Sequence, residues 1–227
     1  FGEGRKGLEG YHDTLHSKFI SQTKISEILK SYGFSSERVS NTNNFTLLER
    51  NIPDLCADRV DYALREFSYW LSPKVAKITS QGIYNFNGEM VFNDEKLAFI
   101  FASHFLKLQT LHWGEKESAK RYNIFTSALK TALNKKIIKD QDFYQSEDYI
   151  VKKLENSKEK EILNGLKRLK KEGFSKTGGK DWVIKKFRYV DPKIITKNKP
   201  IRLSRVNLKF RKLLNKHRKI NLKGILV

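Results

Sequence analysis

Residues 51–72 read NIPDLCADRVDYALREFSYWLS, and no stretch limits the fold more tightly. Leu55, Cys56, Val60, Leu64, Phe67 and Leu71 recur every three or four positions, which groups them on one side of an α-helix. Pro53 suits a first helical turn, where its missing N–H costs nothing. The spacing predicts a helix starting near Pro53, with one apolar face for another element to cover. Beside that face Asp58, Tyr62 and Glu66 follow at i, i+4 and i+8. An acid, a phenol and an acid in that row are hard to explain by solvation alone. Asp61 and Arg65 read more simply, as an i, i+4 ion pair. Phe67, Tyr69 and Trp70 are expected in the core, and so is Cys56.

The helical period runs through the first two thirds of the chain. Residues 12–33 carry Leu15, Phe19, Ile25, Ile28, Leu29 and Tyr32, with a break at 21–23, Thr23 as a cap and Gly33 as a stop. SSERVSNTNN (35–44) reads as turn and loop. IYNFNGEMVF (83–92) places Asn87-Gly88 between apolar runs, a two-residue hairpin signal. Helices are expected from Asn93 or Asp94 to Trp113, and over 117–137, 146–157 and 158–173, the last stopped by Gly173.

Then the pattern changes. In KTGGKDWVIKKFRYVDP (176–192) a Gly-Gly turn precedes alternating Trp182, Ile184, Phe187 and Tyr189, which reads as a strand. KTGGK lacks the spacing of a phosphate loop. RLSRVNLKFRKLLNKHRKIN (202–221) reads as one basic helix and GILV as a closing strand. The expected fold is mainly α, a helical body over residues 1–150 with a small basic α+β region over 151–227.

Charge follows the same division. The chain carries a net +20, yet residues 152–227 hold 25 Lys/Arg against 6 Asp/Glu, and residues 1–151 hold 20 against 19. The last 27 residues contain no acid. A lysine-rich proteome explains many lysines but not their segregation, which points to an anionic partner: nucleic acid, nucleotide phosphates or an acidic protein surface. One cysteine excludes an intrachain disulfide and fits a cytoplasmic protein. No run of 18 apolar residues predicts a membrane span. FGEGRKG at the start reads as a chain entered midway.

GYHDTLHSKFI (10–20) places His12 and His16 four apart with Asp13 between them. The zinc-protease motif H-E-x-x-H differs by one methylene at the acid, and no third ligand follows at its spacing. A surface histidine pair opening an amphipathic helix explains these residues better.

The stretch IPDLCADRVDYALRE, with GYHDTLHSKFI upstream, resembles the HD-domain superfamily of metal-dependent phosphohydrolases, in the branch of deoxynucleoside triphosphate triphosphohydrolases. The resemblance is good over residues 8–70, weaker to about 155 and slight beyond. It implies an HD-type helical bundle. It implies Asp58 as the final metal-binding aspartate of H…HD…D, and His12 as a histidine facing the triphosphate in catalysis. Tyr62 then lies near the substrate sugar and Glu66 in the same pocket, with Lys120 and Arg121 as phosphate contacts on a later helix. The implied cofactor is a divalent metal ion, Mg, Mn, Fe or Zn. The implied substrate is a nucleotide or other phosphorylated small molecule, and the resemblance is compatible with a homo-oligomer. The first His and the His-Asp pair of the signature are expected upstream of residue 1, so the 227 residues alone are expected to be inactive. Two other readings stay open: nucleic-acid binding through residues 152–227, and a non-catalytic HD scaffold.

Overall fold

Helical periodicity becomes helix through most of the chain. The computed structural model describes residues 11–170 and 182–226. In chain order it contains α1 (Tyr11–Ser21), α2 (Lys24–Ser31), α3 (Ser36–Ser40), α4 (Ala57–Trp70) and α5 (Pro73–Ser80). Strands β1 (Ile83–Phe86) and β2 (Glu89–Phe92) follow, then α6 (Glu95–Leu108), a π-turn over Gln109–Trp113, α7 (Lys116–Asn134), α8 (Glu147–Glu155) and α9 (Lys160–Leu169). The chain closes with β3 (Trp182–Val183), β4 (Lys193–Thr196), β5 (Lys199–Arg202), α10 (Leu203–Val206), α11 (Leu208–Leu222) and β6 (Ile225–Leu226). The fold is mainly helical, as the sequence implies, with a small four-stranded mixed sheet of which the sequence marks only the β1–β2 hairpin.

The chain forms two units. The first takes the described residues up to Ala102 and regains Val190–Asn207, and the second runs over Ser103–Tyr189 and resumes at Leu208. In the first unit the strand order is β1-β2-β4-β5. The β1–β2 hairpin turns at Asn87 and Gly88, with φ of 51° and 79°, the conformation that an Asn-Gly pair adopts most readily. β4 pairs parallel to β2, with Ile194 opposite Phe92, and antiparallel to β5. Phe67 of α4 meets Phe101 of α6 edge to face at 5.2 Å, and Phe92 packs on the same ring at 5.6 Å. All three phenylalanines are fully buried.

The second unit has its own core, in which Ala128, Ala132, Ile138, Ile150, Leu154, Ile162 and Leu166 from α7, α8, α9 and the α7–α8 connection pack together. Its two short strands, β3 and β6, pair antiparallel.

Several local expectations change. Pro53 does not open α4. It follows a cis bond in the preceding loop, and the helix starts at Ala57. Arg59 holds that loop instead: its guanidinium donates to the carbonyls of Asp54 (2.7 Å) and Arg50 (3.0 Å) and to Glu49. Residues 35–44 form α3, capped by the Ser35 hydroxyl, and a 3-10 turn where a loop was expected. Thr23 occupies the N-cap of α2, but its hydroxyl bonds back to Ile20 instead. The expected strand over 182–189 is paired only at Trp182 and Val183, because the antiparallel partner supplies just two residues. The expected basic helix splits into α10 and α11 at Asn207. Phe67 and Cys56 are core residues as expected, whereas Tyr69 and Trp70 are 79% and 51% exposed at the end of α4. Gly173 and the Gly-Gly pair fall outside the described residues.

Candidate functional site

Helix α4 carries the densest set of candidate residues. Leu55 and Cys56 before it, with Ala63 and Phe67 within it, are buried, which fixes the rotation of the helix. The row beside that face is then set. Asp58 stands exposed in the first turn, and Tyr62 and Glu66 follow half-buried one and two turns on. The first N–H groups of α4 donate to the loop below, Ala57 to the Leu47 carbonyl at 2.7 Å and Asp58 to Leu48 at 3.3 Å. The backbone under Asp58 is thus held while its carboxylate stays open to solvent. An acid at this end also gains from the helix dipole. Asp61 and Arg65 pair at 2.8 Å on the exposed face, as their spacing suggests.

Cys56 lies beneath this turn. Its thiol donates to Glu49 (3.4 Å) and accepts from Arg59 (3.2 Å), and burial raises its pKa despite the adjacent guanidinium. A thiol so placed is a packing group with a low thiolate fraction, and a poor nucleophile.

His12 falls in the first turn of α1. His16, one turn later, has a structural role: its Nδ1–H donates to the Ser40 carbonyl at 3.2 Å, beside a Ser17–Ser40 hydroxyl bond of 2.6 Å. These bonds tie α1 to α3.

Among the described residues no group of three or more His, Cys, Asp or Glu side chains can hold a metal ion. Divalent metals take several oxygen or imidazole ligands, so the described residues do not fit a complete metal centre. Asp58 offers one open carboxylate.

Lys120 and Arg121 lie on α7, in the second unit. Lys120 is buried, and desolvation lowers its pKa, helped by the neighbouring charges of Lys116 and Arg168. Arg121 donates twice to Glu117, at 2.9 and 2.7 Å, and once to the Leu169 carbonyl at the end of α9, at 2.6 Å. That last bond satisfies a helix-end carbonyl, so Arg121 joins α7 to α9.

A cleft of mixed polar and apolar lining is marked by no sequence motif. In the second unit a cavity of about 80 Å³ opens beside the π-turn, lined by Gln109, Thr110, Lys185, His217 and Asn221 among others. Gln109 bridges the Lys186 carbonyl and the Arg188 N–H, and Thr110 hydrogen-bonds His217 Nδ1 at 2.9 Å. Burial lowers the pKa of both Lys185 and His217. The lining comes from segments about a hundred residues apart, so no local motif announces it.

Comparison with known proteins gives two relatives. Over 215 residues, 90% of this chain, the sequence is 28% identical to the uncharacterized protein YdhJ of Bacillus subtilis. Over 62 residues, 27% of this chain, it is 36% identical to the metal-dependent phosphohydrolase cns2 of Cordyceps militaris. The matches span 65% of the first relative's length and 18% of the second's. No family model and no solved structure matches the chain. No helix among the described residues is long and apolar enough to cross a membrane.

Proposed function

We propose that the protein is an HD-type metal-dependent phosphohydrolase acting on a nucleotide or deoxynucleoside triphosphate, and that α4 forms one wall of its active site. One observation carries the reading: the row Asp58, Tyr62, Glu66, with its first carboxylate left open on a firmly held helix start. The partial similarity to a metal-dependent phosphohydrolase supports it. In this reading Asp58 is a metal-holding carboxylate, His12 faces the phosphates, and Tyr62 and Glu66 contact the sugar side of the substrate. The remaining ligands of the metal would come from outside the described residues.

The test uses the longest natural chain that contains these 227 residues. It is assayed with Mg, Mn, Fe or Zn against nucleoside and deoxynucleoside triphosphates, with metal content measured in parallel. The expected result is metal-dependent release of phosphate or triphosphate, a loss of at least about 100-fold in Asp58→Ala and a lower metal content in that variant. Unchanged turnover and metal content in Asp58→Ala would remove α4 from the site.

A further inference from the structure

Helix α11 reads LKFRKLLNKHRKINL and contains no acid. Its inward face is set by Phe210, fully buried, and Leu214, 5% exposed. Opposite them Lys212, Lys216, Lys219 and Lys223 follow at i, i+4, i+7 and i+11, the last just past the end of the helix. All four are exposed. At 1.5 Å per residue the row is about 16 Å long. With Asn215 and Ile220 the lysines frame an open depression of about 450 Å³. Among the described residues none of the four makes an ion pair. Four like charges in one row repel each other, and nothing in α11 offsets them.

We propose that this row binds the phosphodiester backbone of a nucleic acid, without reading its sequence. A row of this length is longer than a triphosphate and suits an extended polyanion. Lysine ammoniums are point charges that neutralise phosphates and carry no base-reading geometry. An anionic membrane fits less well. Helices that lie in a membrane insert an apolar face, and that of α11 is turned into the protein. Its exposed apolar residues, Leu208, Ile220 and Leu222, do not line up as a second stripe. The binding is separate from any hydrolysis at α4.

The experiment measures the 227-residue chain against a 20-base-pair DNA duplex of arbitrary sequence across a salt series. Four neutralised phosphates give a log–log slope of about −3.6, so affinity falls about 150-fold between 50 and 200 mM salt. Changing Lys212, Lys216, Lys219 and Lys223 together to Gln should abolish that binding while leaving the thermal melt unchanged. Single variants Lys216→Gln and Lys219→Gln should each lower the slope by about one, which keeps the test sharp if the fourfold variant folds poorly. A control with the same charge loss, Lys136, Lys152, Lys160 and Lys167 to Gln, should keep its affinity within about threefold. Unchanged binding in the α11 variants, or equal loss in the control, overturns the proposal. Capture by anionic phospholipid vesicles without duplex binding would assign the row to lipid and overturn it as well.

Discussion

Asp58 has its carboxylate in solvent and its backbone N–H bonded to Leu48, so its side chain adds little to packing. Asp58→Asn should therefore cost at most about 1 kcal/mol of stability, the worth of an acid in a first helical turn. Catalysis in the longest natural chain should fall by orders of magnitude. A denaturant melt and a turnover assay on one preparation separate the two effects, and a large stability loss would make Asp58 a structural residue instead. Glu89 is the opposite kind of carboxylate. It sits between Lys193 and Arg50, the latter at 2.9 Å, and the hydrogen bond from Lys193 is the largest cause of its lowered pKa. Because the folded-state pKa lies below 4.5, its stabilisation is full above about pH 4.5 and is lost as pH falls through the lowered value. Glu89→Gln should lose about 1 kcal/mol at pH 7, since both pairs are partly solvated. The gap to the wild type should close below pH 4.5, and denaturant melts at pH 7 and pH 3 check this. A gap that widens in acid would mean that Glu89 is not the charged partner.

Helix α9 shows what local pattern can and cannot predict. Its amphipathic period was plain, and Ile162 and Leu166 are buried where that period puts them. Gly165 follows no such rule. It sits within the helix, where a Cβ would meet Ala128 and Ile124 at an ordinary 3.7 Å. Gly165→Ala should stabilise by about 0.5–1 kcal/mol through a less flexible unfolded chain and a better helix former. Leu154→Ala, in the same core and fully buried, should cost about 3 kcal/mol. Chemical melts of the two variants should move in opposite directions, and a destabilised Gly165→Ala would mean that the α7–α9 contact is tighter than its distances. Elements with a strong period or a specific turn pair were legible: α4, α7 and the Asn87-Gly88 hairpin. The β4–β5 hairpin was not. Its strands are four residues long and its turn is Lys197-Asn198, at φ of 49° and 59°, where the lysine gives no turn signal. The alternation over 182–189 misled for the converse reason, since a period of two does not guarantee a partner strand.

At the scale of the molecule, the chain closes its first unit only after building most of its second. Strand β4 reaches β2 across about a hundred residues, and no local periodicity encodes such a pairing. The candidate site shares that limit. The α4 row was readable because a single helix holds it, whereas the lining of the Gln109–His217 cleft depends on which distant segments meet. The discontinuity makes two truncations differ. Ending the chain at Lys170 removes β4, β5 and α10 from the first unit, with Val190, Ile194 and Leu203, each at most 5% exposed. Three such side chains are worth about 4–9 kcal/mol, comparable with a domain's whole net stability. Ending the chain at Asn207 keeps all of these and removes only α11 and the residues beyond it, which belong to the second unit. Amide exchange of Met90–Phe92 in β2 reports the difference. Protection at Phe92, which faces Ile194, should vanish in the shorter chain and persist in the longer one. Equal protection in both would mean that the sheet stands without its late strands. Loss in both would mean that β4 and β5 are not sufficient to hold β2 in its sheet.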